Sequence, residues 1–167
     1  MRAPTLVELL FNQISDLHRM ETLLSDTLPG LAARARHSSL YALIAAHAMQ
    51  TPRQLELLDM ILRRHGSVPG NGKCKAMRGL TSGMDARLGG VRAPQARDLV
   101  IMAHCVRIER YEITVYSLAL RLARKLDMGH ESVVLDWILA QEMAAARGLE
   151  ALEPVLFQLA EKGGRKK

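Results

Sequence analysis

Residues 102–120 read MAHCVRIERYEITVYSLAL, and they decide the fold. Met102, Val106, Ile113, Tyr116 and Leu120 recur at the spacing of one helix face, and Glu109 and Glu112 lie inside that face. Pro94 suits the first turn of this helix, because its ring presets φ and the N–H it lacks would have no intrahelical partner there. Burying an ionised carboxylate alone is prohibitive. Two of them in the seam of an amphipathic helix therefore predict a companion: a proton, an arginine or lysine, or a metal ion.

The pattern continues on both sides. Toward the C-terminus, Gly129 marks the end of a turn, and a further helix carries Leu135, Ile138, Leu149, Leu152 and Leu156, with Glu142 in line and Pro154 kinking its far end. Toward the N-terminus, loops at 66–72 and Gly89-Gly90 bracket a short helical excursion from Lys73 to Leu88, weakened by Gly79 and Gly83. The helix before it shows Leu40, Leu43, Ile44, Leu58, Ile61 and Leu62 on one face, with His47, Gln50 and Gln54 in the middle and Pro52 expected to bend it. Ser38-Ser39 is its expected N-cap. The first helix opens on Thr5 and Glu8, spaced as a capping box, and its stripe runs Leu6, Leu10, Ile14, Leu17, Leu24 and Leu28 with Glu21 inside.

Four long helices joined by two short turns and one long crossover predict an all-α four-helix bundle whose crossover contains a short helix. Residues 1–162 form one domain in this reading, followed by a basic flexible tail at 163–167. Composition agrees. Apolar residues make up 49% of the 167 residues and aromatics only 4%, a bias toward helix formers and away from strand formers. No apolar run approaches the roughly 20 residues that span a bilayer, and the opening residues are too polar for a signal peptide, so a cytoplasmic protein is expected. Cys74 and Cys105 match neither a zinc spacing nor a disulfide framework and are expected to be free thiols. The formal charge of +6 owes much to the tail, and the remaining arginines are scattered without aromatic interleaving, which argues against nucleic-acid binding.

Three helices thus place glutamate where their own periodicity assigns the interior: Glu21, Glu109 with Glu112, and Glu142. Bundles that hold two iron or manganese ions use this arrangement. Counted from turns placed at Ser38 and Gly129, Glu21 and Glu112 are at one depth and Glu142 differs by about 6 Å, whereas His47 falls about 12 Å from the level of Glu21 and is the weakest ligand on that count. The competing expectations are carboxylates at the edge of the stripe that reach solvent, or carboxylates paired with Arg107, Arg110 or Arg147. His18, His37, His65, His104 and His130 form no ligand pair and are expected at the surface or at helix ends. Gly70-Asn71-Gly72-Lys73 lacks the strand and the spacing of a phosphate-binding loop.

Lys73-Cys74-Lys75-Ala76-Met77-Arg78-Gly79-Leu80 resembles the Lys-Cys-x-Ala-Met-x-Gly-Leu stretch of the YciE/YciF family of ferritin-like, stress-associated bacterial proteins. Asp16-Leu17 with Glu21 and Leu24, His47 with Thr51 and Gln54, Glu109-Arg110-Tyr111-Glu112-Ile113, and Glu142 resemble the family's signatures on its four helices in order. The resemblance implies a ferritin-like bundle, a homodimer and a di-iron site, with no established activity; if iron or manganese binds, as one or two ions, the chemistry expected of it is ferroxidase- or peroxide-type. Glu21, His47, Gln50, Glu109, Glu112 and Glu142 are the metal-site residues it implies, with Tyr111 or Tyr116 as neighbours. Gln50 stands where the family usually has Glu, Arg110 where it has His, and Ala146 where it has Asp. Those replacements imply either a weakened centre or a metal-free core in which Arg110 supplies the countercharge.

Overall fold

The computed structural model describes residues 3–69, 74–91 and 93–164. Its elements are α1 (Leu6–Ala32), α2 (Ser38–Arg64), α3 (Lys75–Ser82), α4 (Met84–Gly89), α5 (Pro94–Lys125) and α6 (Gly129–Gly164). The expected capping box opens α1: Thr5 N–H donates to Glu8 Oε2 at 2.6 Å and Glu8 N–H to Thr5 Oγ1 at 3.2 Å. Leu6, expected on the buried stripe, is exposed, and burial begins one turn later at Leu10. Pro29, Pro52 and Pro154 all lie inside continuous helices.

Helices α1 and α2 pack along their length as one hairpin and α5 and α6 as another, with α1 against α5 and α2 against α6 closing the bundle. The short α3 and α4 of the crossover lie on α5, and α3 also meets α1. The one short helical excursion expected from Lys73 to Leu88 is thus two short helices meeting at Gly83. Met77 of α3 and Met84 and Leu88 of α4 are buried and join the core. The proposed loop residues 70–72, and Lys73 with them, lie outside the described residues. So do residues 165–167 of the expected tail, while α6 itself runs through Gly164. No helix of the described residues is long and apolar enough to cross a membrane.

The first turn corrects one expectation. The N-cap of α2 is His37, whose side chain makes no cap bond, and not Ser38 or Ser39. The turn is fixed instead from α5: Asp98 accepts from the backbone N–H of Arg36 at 2.9 Å through Oδ1 and from that of His37 at 3.0 Å through Oδ2. Gly129 ends the α5–α6 turn, as expected, and is the first residue of α6. Asp127 takes the left-handed conformation there, φ 55°, and Met128 N–H returns to the Ala123 carbonyl at 3.0 Å, closing the end of α5. At the end of α2, Gly66 adopts the same conformation at φ 65° with Ser67 N–H donating to the Leu62 carbonyl.

Candidate metal centre

The middle of the bundle is polar. Glu21 of α1, Glu112 of α5 and Glu142 of α6 are completely buried, and Glu109 and His47 nearly so. Carboxylates reaching out to solvent are therefore not what these helices hold. Each is carried inward by the helical period of its own stripe: Glu21 between Leu17 and Leu24, Glu112 between Ile108 and Tyr116, Glu142 between Ile138 and Leu149.

His47 is at the centre of the group. Its Nδ1 lies 2.8 Å from Glu109 Oε1, and its Nε2 lies 3.2 Å from Glu142 Oε2 and 3.8 Å from Glu112 Oε2. With Glu109 ionised, Nδ1 must carry the proton, which aims Nε2 at the other two carboxylates. Ligand atoms of His47, Glu109, Glu112 and Glu142 all lie within 4.8 Å of one another.

The expected depth of His47 is corrected by the structure. Five residues, Ala33–His37, connect α1 and α2 and do not advance along the bundle axis as helix does. Measured from the helix ends themselves, Glu21 lies 11 residues before Ala32 and His47 lies 9 after Ser38. That difference is about 3 Å rather than 12 Å. By the same measure Glu112 is 13 residues before Lys125 and Glu142 is 13 residues after Gly129, which puts them level.

Buried partners hold one oxygen of three of these carboxylates. Tyr116 O–H donates to Glu21 Oε1 at 2.5 Å, Gln54 Nε2–H donates to Glu142 Oε1 at 2.5 Å and also to Gln141 Oε1 at 3.0 Å, and His47 takes Glu109 Oε1. The remaining oxygens are orphaned. Glu21 Oε2, Glu109 Oε2, Glu142 Oε2, both oxygens of Glu112, and His47 Nε2 have no hydrogen-bond partner among the described residues. Glu112 makes none at all.

Burial dominates the electrostatics. It pushes the Glu21 carboxyl up to about 8, with the Glu142 charge adding to the shift and the Tyr116 hydrogen bond opposing it. Burial and the neighbouring carboxylates raise Glu112 well above the usual range, and burial raises Glu109 against the pull of His47. Burial alone disfavours the His47 imidazolium, but its hydrogen bond to Glu109 and the nearby carboxylates of Glu142 and Glu112 outweigh that and raise it well above its ordinary value. Cys105, one residue type that could have been a ligand, is pushed up to about 12 by burial and by Glu109 and stays a neutral thiol.

Arginine does not neutralise this core. Arg110 is exposed and pairs with Glu150 across the α5–α6 surface, and Arg107 and Arg147 are exposed as well. The cation that faces the carboxylates is His47. Gln50, one turn beyond His47, is half-buried and lies outside the group of four. Tyr111 is turned away toward Cys74, whereas Tyr116 belongs to the site. His104, expected at the surface, is buried with neither ring nitrogen partnered, and burial with Arg87 and Arg107 nearby lowers it to about 4.

A family model described as a domain of unknown function, DUF892, matches residues 5–161. The chain belongs to this family, which is that of the YciE/YciF proteins. It is 26% identical over 145 residues to Protein YciF of Escherichia coli, spanning 86% of this chain and 87% of that one. Among solved structures it resembles YcfI of Rhodopseudomonas palustris, provisionally described as a structural protein, at TM-score 0.83 and 26% identity over 88% of this chain and 94% of the other. The crystal structure of the E. coli stress protein YciF shares the fold at TM-score 0.80 and 24% identity, covering 99% of this chain and all of the other. Both cysteines are free, as expected, with Cys74 half-buried at the start of α3.

Proposed function

We propose that the chain is a stress-associated, cytoplasmic, homodimeric bundle protein whose core holds iron or manganese, as one or two ions, more weakly than a family centre with its full set of acids. The observation that carries this reading is the set of buried orphaned donors, five carboxylate oxygens and one imidazole nitrogen from the four long helices, with ligand atoms of His47, Glu109, Glu112 and Glu142 within 4.8 Å of one another. Protein interiors leave few buried polar groups unsatisfied, and a site for an ion is a standard reason when they do. Hard oxygen donors with a single imidazole suit manganese and ferrous iron.

His47, Glu109, Glu112 and Glu142 would hold the ion, with Glu21 alongside. When bound, such an ion supplies redox chemistry toward dioxygen or peroxide of the ferroxidase type. The residues of the chain do the rest. Glu109 fixes the His47 tautomer, Gln54 and Tyr116 each occupy one oxygen of a carboxylate and leave the other inward, and the Leu and Ile layers above and below exclude water. The His47 proton and the protons on Glu21 and Glu112 are what an ion must displace, so affinity rises with pH.

A metal-free structural role is the second reading, favoured by the fact that His47 as imidazolium already supplies one countercharge to the group. Metal analysis after anaerobic Fe(II) loading and desalting separates the two. The metal reading expects between half and two equivalents of iron per chain. Less than a tenth of an equivalent, for iron and for manganese, would overturn it.

A further inference from the structure

Beside His47 and Glu109 the core contains a cavity of about 10 Å³, the room of a single water molecule. Leu43, Ile44, Cys105 and Leu149 wall it, and His47 and Glu109 form its polar side. Between α2 and α6 there is also an open surface groove, lined by Ser39, Ala42, Ala46, Gly148, Ala151 and Leu152 together with Leu43. Leu43 is the one residue that lines both. Its half-buried side chain is therefore the partition between bulk solvent and the only donors of the cluster that the cavity touches.

The small residues of the groove explain why a single side chain can serve as that partition. Ala42, Ala46 and Ala151 leave space over the seam of α2 and α6, and Leu152 is the one other large side chain of the groove. Gly148 gives Leu43 its place. A Cβ at position 148 would stand 2.7 Å from Leu43 Cδ2, closer than real side chains approach, and the leucine would have to swing away. Rotamer changes of a partly exposed leucine occur on the picosecond-to-nanosecond scale, so such a partition opens without helix movement.

We propose that small ligands, namely water, a divalent cation or a peroxide-sized oxidant, reach the buried cluster between α2 and α6 past Leu43, and that Leu43 gates this route. The inference rests on the cluster being a site, but access can be read without any metal. Cys105 lines the cavity and is a built-in reporter, and Cys74 at the start of α3 is a reference elsewhere in the same molecule.

The experiment uses the full-length, metal-free protein and methyl methanethiosulfonate at pH 8, with peptide mass spectrometry resolving the two cysteines. Leu43→Ala is expected to speed Cys105 labelling at least tenfold relative to Cys74, whereas Leu43→Ile, which keeps the bulk of the partition, should leave it within about twofold of wild type. Because global destabilisation accelerates both cysteines together, equal acceleration in Leu43→Ala overturns the proposal, as does no acceleration. A second arm follows Co(II) uptake by its visible absorption: Leu43→Ala should load at least tenfold faster to the same final affinity. Faster Cys105 labelling with no Co(II) bound by either protein refutes the metal reading and leaves the route standing. Co(II) bound at equal rates by both proteins refutes the route.

Discussion

The bundle buries carboxylates in two kinds of place, and they are treated in opposite ways. Near its ends, Asp98 has both oxygens taken by the backbone N–H groups of Arg36 and His37, and Glu131 accepts from His65 at 2.8 Å. Burial works against Glu131, yet the His65 hydrogen bond holds it below the usual carboxylate range. In the middle, Glu112 has no hydrogen-bond partner for either oxygen, and Glu21, Glu109 and Glu142 have one for half of theirs. The ends are slightly wetter, with Asp98 5% and Glu131 4% exposed against none for Glu21, Glu112 and Glu142, but the larger difference is satisfaction. A carboxylate whose lone pairs are all used ties helices together, and one whose lone pairs face a shared space is prepared for something that the chain does not itself provide.

Removing a satisfied carboxylate should hurt most. Asp98→Ala strands two N–H groups at the α1–α2 turn and is expected to cost ~2–4 kcal/mol, read as a fall of about 5–15 °C in melting temperature. A loss under about 0.5 kcal/mol would mean that the end contacts are not the ties described.

Next is the effect of pH on the metal-free protein. Glu21, Glu109 and Glu112 have folded-state pKa values raised above those of the unfolded chain, so the folded state holds their protons after the unfolded state has released them. His47 is also raised, and its contribution is full below about 6.5 and lost as pH climbs through its folded value. Both kinds of group make stability fall with rising pH, from about 4.5 for the acids. His104, lowered to about 4, works in the opposite direction up to its unfolded value near 6.5, and Glu131, shifted downward, acts only at the acid end. The melting temperature without metal should therefore drop by about 3 °C or more between pH 6.5 and pH 8, where only the raised groups titrate. A flat or rising profile over that interval would contradict the raised values.

Smaller in stability is Glu112→Gln. It removes an unsatisfied buried acid without changing shape, so the metal-free protein should melt within about 1 kcal/mol of wild type, or higher. A loss as large as that of Asp98→Ala would erase the distinction between middle and ends.

The order and type of all four long helices could be read from spacing, and so could the capping box and the inward placement of Glu21, Glu109, Glu112 and Glu142, because these depend on residues three or four apart. What could not be read depended on where helices stop. Treating Ala33–His37 as helical rise displaced His47 by two turns and demoted the central residue of the site. Local chemistry named Ser38 as a cap, whereas the partner that fixes the turn, Asp98, is far away in sequence. Arg110 is adjacent in sequence to a core glutamate, but a helix turns about 100° per residue, so adjacency put it outside with Glu150.

The smallest effect is expected at position 50. Gln50→Glu adds an anionic oxygen one turn from His47 at a half-buried position and should raise Fe(II) affinity severalfold with little change in stability when metal is present. A variant that melts lower than wild type both with and without Fe(II), and binds no more iron, would show that position 50 contributes nothing to the site.

The central claim is that a cation completes the orphaned donors in the middle of the bundle. Anaerobic melts of wild type and Glu112→Gln at pH 7.5, each with and without excess Fe(II), test it most directly. An ion at one hundred times its dissociation constant stabilises by about 2.7 kcal/mol, so wild type should melt about 5–10 °C higher with Fe(II). The Glu112→Gln shift should be less than half of that. Equal shifts in the two proteins, or none in wild type, would contradict the account.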